Sequence, residues 1–170
     1  MYKTNIIVLV LSKAKNKVVI WDDFEKKNRT EITFNNNNII KNIKLRKDML
    51  VVVLEDKIFV FNFETLKLIE QVETCHNPLG LAGLSTAEKP IQKTIVCLHT
   101  EKGNLKILTY GMLYLSFKVI VVDKSIESVI QGHESEVGAL AVNPEGTLIA
   151  TASVRGTIIR IFSAEEGVLL

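Results

Sequence analysis

Residues 132–162 read GHESEVGALAVNPEGTLIATASVRGTIIRIF, and the alternation of apolar runs and turns along them decides the fold. Val137, Leu140 and Val142 share one short apolar run, which Asn143-Pro144-Glu145-Gly146 interrupts with turn-forming residues. Leu148 to Ala152 is a second run of strand length. Val154-Arg155-Gly156 makes a tighter turn, in which Gly156 can take a positive φ with no Cβ to clash. Thr157 to Phe162 then supplies a third strand. His133 stands just ahead of the first strand, where an imidazole hydrogen bond can tie down the incoming turn.

The same strand-turn-strand unit recurs in weaker copies. Thr94 to Leu108 (TIVCLHTEKGNLKIL) turns at Gly103, which lies 53 residues before Gly156. Leu50 to Phe61 (LVVVLEDKIFVF) has two apolar strands about an acidic turn. Lys17 to Asp22 ends such a unit with Trp21-Asp22, and Lys17 and Lys57, each read as opening a strand after a turn, are 40 residues apart. Repeats of this length resemble WD40 blades, with Phe162-Ser163 where the usual Trp-Asp pair stands. The chain thus reads as an all-β, WD40-type propeller domain over 1–170, about four blades of a seven-bladed ring.

Fifteen short strands are expected in all, among them 39–45, 79–85, 117–122, 126–131 and 157–163. No window of a dozen residues keeps a 3.6-residue period, so helices should be few. The chain begins and stops inside apolar runs, which reads as a fragment of a ring with exposed strand edges and a tendency to aggregate.

Composition narrows the function classes. Of 170 residues 47% are hydrophobic and only 3 are Pro, which excludes a disordered chain. Lys plus Arg is 21 against 19 for Asp plus Glu, a balance that gives no clustered positive field and argues against nucleic acid as a partner. Cys75 and Cys97 lack metal-site spacing and read as reduced, buried thiols of a cytosolic protein. The six apolar residues Ile6 to Leu11 are far short of the roughly 20 that span a bilayer. No small-residue cleavage site follows them, so a signal peptide is not expected. There is no nucleophile elbow, phosphate-cradling glycine loop or His-Glu metal motif, so neither an enzyme nor a resident cofactor is expected.

Three stretches resemble the PROPPIN family, seven-bladed propellers that bind phosphoinositides in autophagy. They are Val19-Ile20-Trp21-Asp22-Asp23, the segment Glu73-Thr74-Cys75-His76-Asn77-Pro78-Leu79-Gly80-Leu81, and Ser153 to Phe162. The second is the most specific, because ordinary WD40 proteins lack its Glu-Thr…Asn-Pro-x-Gly-Leu pattern. The resemblance implies recognition of phosphatidylinositol 3-phosphate and phosphatidylinositol 3,5-bisphosphate in two basic pockets flanking a Phe/Leu-Arg-Arg-Gly motif. His133, Thr157 and Arg160 match positions of the first pocket, with Ser153 nearby. A guanidinium gives charge-assisted bonds to phosphate oxygens, and hydroxyl and imidazole groups add directional ones. The chain holds no Arg-Arg pair, so the second pocket and the membrane-inserting loop of the sixth blade are absent from it, and its lipid binding should be weak. The resemblance also implies autophagy proteins as partners of the early blades. Peripheral recruitment from the cytoplasm to autophagosome precursors or to endosomal or vacuolar membranes is implied with them.

A plainer reading stands beside this one, a WD40 scaffold with protein partners only. In such proteins His133 of a Gly-His pair is a structural hydrogen bonder, and Thr157 and Arg160 are common blade residues. Arg155 reads as a solvated turn residue, as do Lys26-Lys27 and Arg46-Lys47. Asn35 to Asn38 read as a hairpin loop, Asp22 and Asp23 as turn formers or partner contacts, and His76 and His99 as structural. Asn28-Arg29-Thr30 matches a glycosylation acceptor by chance.

Overall fold

In the computed structural model, residues 5–35, 38–87, 93–115 and 118–170 are described, with side chains placed except at 112–115 and 118–124. Among the described residues fourteen strands form four antiparallel sheets, each a meander of consecutive strands. The first sheet holds β1 (Ile6–Leu11), β2 (Ala14–Asp22) and β3 (Lys27–Thr33). The second holds β4 (Asn42–Leu45), β5 (Met49–Val53), β6 (Lys57–Asn62) and β7 (Leu68–Glu73). β8 (Ala82–Leu84), β9 (Lys93–Leu98), β10 (Asn104–Leu115) and β11 (Lys118–Gln131) make the third. β12 (Val137–Val142), β13 (Leu148–Ser153) and β14 (Ile159–Ser163) make the fourth. Leu169 forms an isolated antiparallel bridge with Phe162.

The sheets stack face to face like propeller blades, and the chemistry of β5 shows why. Its side chains alternate between two apolar layers. Met49, Val51 and Val53 meet Ile95, Cys97 and Tyr110 of the third sheet. Leu50, Val52 and Leu54 meet Val18, Phe34 and the partly buried β1 residues Val8 and Val10. β9 does the same, with Ile95 and Cys97 facing the second sheet and Val96 and Leu98 facing Val137, Ile149 and Phe162 of the fourth. A strand covered on both faces needs a continuous apolar run, since a period of two would place polar groups in a dry layer. Burying each such side chain stabilises the stack by roughly 1.5–3 kcal/mol.

Several sequence expectations are corrected here. The strands expected at 117–122 and 126–131 are one element, β11, although residue 117 itself lies outside the described residues. Its two halves pair with Gly111–Leu115 and Asn104–Thr109 of β10, and the register shifts between Thr109 and Gly111, where Gly111 has a φ of 134°. The polar break that suggested a loop is this irregularity within a ladder. Lys17 lies inside β2 and does not open it. The strand expected at 157–163 starts only at Ile159, leaving Thr157 on the turn. The strands at 39–45 and 79–85 shrink to 42–45 and 82–84: Ile40 donates its amide to the Lys15 carbonyl of the first sheet ahead of β4, and Leu79 lies on the turn ahead of β8. Asn35 to Asn38, of which 36 and 37 lie outside the described residues, fall between β3 and β4, which belong to different sheets, so the run is no hairpin loop. Arg46 is buried, with Nε on Asp48 at 3.1 Å and Nη1 donating to the Ser85 carbonyl at 3.2 Å, so it is not a solvated turn residue.

The remaining turns follow the chemistry read from them. Asp22 caps its turn, accepting from the Phe24 and Glu25 amides, and pairs with Arg29. Gly146 and Gly156 have φ of 79° and 68°. Both cysteines are free, Cys97 buried and Cys75 half-buried.

Candidate functional site

The fourth sheet and the segment leading into it carry the residues singled out from the sequence. After β11 the chain turns at Gly132-His133, whose two amides both donate to the Gly103 carbonyl at 3.0 and 2.9 Å. Gly103 can accept both because it has no side chain. A Cβ there would lie 2.0 Å from the His133 carbonyl oxygen, at a φ of 83°. The anchored backbone aims the His133 ring inward, where Nε2 lies 3.0 Å from Thr151 Oγ1 in a buried contact. Thr151 pairs with Arg160 across the β13–β14 ladder. Arg160 Nη1 donates in turn to the Gly132 carbonyl at 2.6 Å. Among the described residues no carboxylate forms an ion pair with Arg160.

His133 and Arg160 are therefore brought together around Gly132. Burial, and next the positive charge of Arg160, hold the His133 pKa below the usual imidazole value. At neutral pH the ring is uncharged and acts as a hydrogen-bonding group, not as a cation for phosphate. Ser153 and Thr157 sit apart from this pair. Ser153 ends β13 half-buried and accepts the Gly156 amide through its carbonyl at 2.8 Å, while Thr157 is exposed just beyond that turn. Among the described residues no hydrogen bond joins the side chain of either to His133 or Arg160. Thr151 is the residue that sequence reasoning missed. The period of two along Leu148–Ser153 puts Ile149, Thr151 and Ser153 on one face, and that was the available signal.

The segment Glu73 to Leu81 proves to be a structural corner linking the second and third sheets. Asn77 is 1% exposed, and its side chain bonds both the amide and the carbonyl of Leu81, at 2.8 and 3.1 Å. Its own amide donates to the Glu55 carbonyl at 2.6 Å, and Gly80 takes a φ of 63° to close the loop. The Asn-Pro-x-Gly-Leu spacing is thus dictated by one buried amide and one left-handed backbone position.

Among the described residues no group of three His, Cys, Asp or Glu side chains is placed to hold a metal ion, and no helix is long and apolar enough to cross a membrane.

Comparison with known proteins bears on what this arrangement serves. The PROPPIN family model matches residues 1–170. Autophagy-related protein 18e of Arabidopsis thaliana is 32% identical over 155 residues, which is 91% of this chain and 37% of that protein. Autophagy-related protein 18 of Emericella nidulans is 31% identical over 179 residues, 98% of this chain and 40% of that protein. Among solved structures, Kluyveromyces lactis Hsv2 with its complete loop 6CD superposes with a TM-score of 0.74 at 24% identity, covering 99% of this chain and 47% of that one. A complex of KlAtg21 with the coiled-coil of AgAtg16 gives 0.70 at 24% identity, covering 95% and 49%. The chain spans less than half the length of these relatives, and the likeness to the structures is one of fold. With the family model matched from the first residue to the last, and with four stacked sheets of a WD40-type propeller, the chain belongs to the PROPPIN family.

Proposed function

We propose that this chain is the part of a phosphoinositide-binding propeller that carries one half of a headgroup site, and that the whole protein acts in autophagy as a membrane-recruited, non-catalytic scaffold. Arg160 carries the reading. It is a half-buried guanidinium with no carboxylate partner among the described residues, held against the Gly132 carbonyl by a single bond. A guanidinium without an anion, on the edge of a sheet, is a standing donor for a phosphate oxygen. Thr157 and Ser153 on the adjacent turn would add hydroxyl donors, whereas neutral His133 serves by fixing the Gly132 carbonyl to which Arg160 is tied. The headgroup would be that of phosphatidylinositol 3-phosphate or 3,5-bisphosphate, as the family implies. The complex of KlAtg21 with the coiled-coil of AgAtg16 supports autophagy proteins as partners; the early blades would bind them, as the family implies, and recruitment would be from the cytoplasm to autophagosome-precursor, endosomal or vacuolar membranes.

The scaffold reading without lipid has one observation in its favour: His133 is engaged by Thr151, as in a purely structural Gly-His. Flotation with liposomes containing or lacking phosphatidylinositol 3-phosphate separates the two, using this chain and one extended through the following blades. Flotation of the extended chain, with loss in Arg160→Ala and Thr157→Ala, supports the headgroup site. Failure of both chains to float leaves the scaffold.

A further inference from the structure

β10 outruns the sheet it belongs to. Its pairing with β9 ends at Tyr110, opposite Lys93, and over residues 111–115 its only partner among the described residues is β11. Residues 111–115 and 118–122 thus form a two-stranded ribbon that leaves the third sheet at the end away from Gly103. β8, at the other edge of this sheet, contacts β4 and β12 of the neighbouring sheets, so β11 lies on the outer rim.

The base of the ribbon is fixed. Glu70 of β7 accepts from the Tyr110 hydroxyl at 2.9 Å and from the Ser125 hydroxyl at 2.8 Å, one residue on each strand where the ribbon departs. Tyr110 is buried in the layer between the second and third sheets, which anchors that junction to the stack. Asp123 and Lys124 fall in the register gap just beyond it.

The ribbon itself is apolar on both faces. Register sets Met112 opposite Val121, Leu113 opposite Ile120 and Tyr114 opposite Val119, and only at the far end does Leu115 meet Lys118. Successive residues of a strand take opposite faces, so neither face carries a polar stripe. A ribbon laid on a protein surface keeps polar residues on its outward face, and the period of two would show it. An environment that is apolar on every side suits this pattern, and a lipid leaflet is one. The length agrees, since residues 111–115 rise about 14 Å. Tilted by about 45°, such a strand reaches about 10 Å deep, past a polar interface of roughly 5–8 Å and into the upper acyl chains. The outer edges of a two-stranded ribbon carry unpaired N–H and C=O groups, which hydrocarbon does not satisfy, so the depth stays shallow. At that depth the stem of a lysine at position 118 is long enough to return its charge toward the phosphates.

We propose that the β10–β11 ribbon is a membrane-insertion element that enters one leaflet of a phospholipid bilayer to the level of the upper acyl chains. It requires no phosphoinositide and rests on other residues than the headgroup reading, whose Arg160 belongs to β14 of the fourth sheet.

Fluorescence quenching tests it in the full-length protein carrying Leu113→Trp, with the parent protein as background. Vesicles of phosphatidylcholine and phosphatidylserine, with and without phosphatidylinositol 3-phosphate, carry bromine either near the carbonyl end or at the middle of the acyl chains. At saturating lipid the added indole should be quenched in both vesicle sets, about twofold or more strongly by the shallow bromine. Leu113→Ser/Ile120→Ser should weaken vesicle binding about tenfold or more. It should melt with the parent, because the ribbon lies beyond the last pair with β9. Quenching retained while phosphoinositide-dependent flotation fails would sink the headgroup reading and support the ribbon. Flotation without quenching at either depth overturns the ribbon and leaves the headgroup site standing. A double variant that lowers the mass of the protein in solution but binds vesicles like the parent also overturns it, because a second copy then covers the ribbon.

Discussion

At the scale of single residues, two glycines with left-handed backbones separate strain from packing. Gly156 has a φ of 68° and nothing within 4 Å of a would-be Cβ, whereas Gly103 at 83° would drive a Cβ into the His133 carbonyl. Gly156→Ala should cost about 1 kcal/mol, the intrinsic penalty of that conformation. Gly103→Ala should cost about 3 kcal/mol or more, because the obstacle is backbone that two amides already hold. Urea denaturation of the two variants checks the difference, and equal losses would mean that the Gly103 corner relaxes. His133 gives a pH signature. Its folded pKa is depressed, so the unfolded chain takes up a proton first as pH falls below about 6.5, and stability present above that value drains away. Melting followed from pH 7 to pH 5 should show a decline that His133→Gln lacks. The depressed carboxylates Asp22, Asp48 and Glu136 lose their contribution only at lower pH, below their ordinary range.

At the scale of elements, most of the strands were legible because runs such as Met49–Val53 and, within β9, residues 95–98 are apolar at every position, a pattern that suits strands buried on both faces. The turn at Gly156 was legible for the same local reason, that its chemistry lies within three residues. What could not be read depends on partners far along the chain. The break within 118–131 looks like a loop until β10 is seen to pair on both sides of it. Arg46 and Lys47 are indistinguishable as sequence, yet Arg46 is buried, bonded to the carbonyl of Ser85 just past β8, and Lys47 is exposed. His133 and Arg160 were reachable through the family resemblance and do meet at Gly132. That Ser153 and Thr157 stand apart, and that Thr151 takes the imidazole, follows from the β13–β14 register and the turn at Gly156, which no local pattern specifies. The Arg46 contrast is testable. Arg46→Ala strips the Ser85 carbonyl of a donor and breaks an ion pair whose other half is partly exposed, so a loss of about 2 kcal/mol is expected. Asp48 keeps Lys93 at 2.8 Å, which limits the damage. Lys47→Ala should fall within about 0.5 kcal/mol of the parent. Matching values would remove the burial argument.

At the scale of the molecule, burial is uneven in a way that follows from stacking. The second and third sheets are covered on both sides, and the first and fourth on one. Val8 and Val10 of β1 face inward, while Ile7, Leu9 and Leu11 between them face out and are exposed. On β14, Phe162 is buried against the third sheet, while Ile159 and Ile161 are 72% and 44% exposed. Outward faces this apolar are what neighbouring blades cover in a closed propeller, and a hydrated surface has no use for them. The 170-residue polypeptide expressed by itself should therefore self-associate, with a weight-average mass in sedimentation equilibrium that rises with concentration. Leu9→Lys combined with Ile161→Lys should lower that mass toward the monomer without changing the strand signal in far-UV circular dichroism, because both side chains point away from the three apolar layers. A chain extended through the blades that follow should cover the β14 face and make Ile161→Lys destabilising instead, by a few kcal/mol, as a charge placed in a dry layer. A short chain that sediments as a monomer at every concentration and melts sharply would show that these faces are satisfied without neighbours.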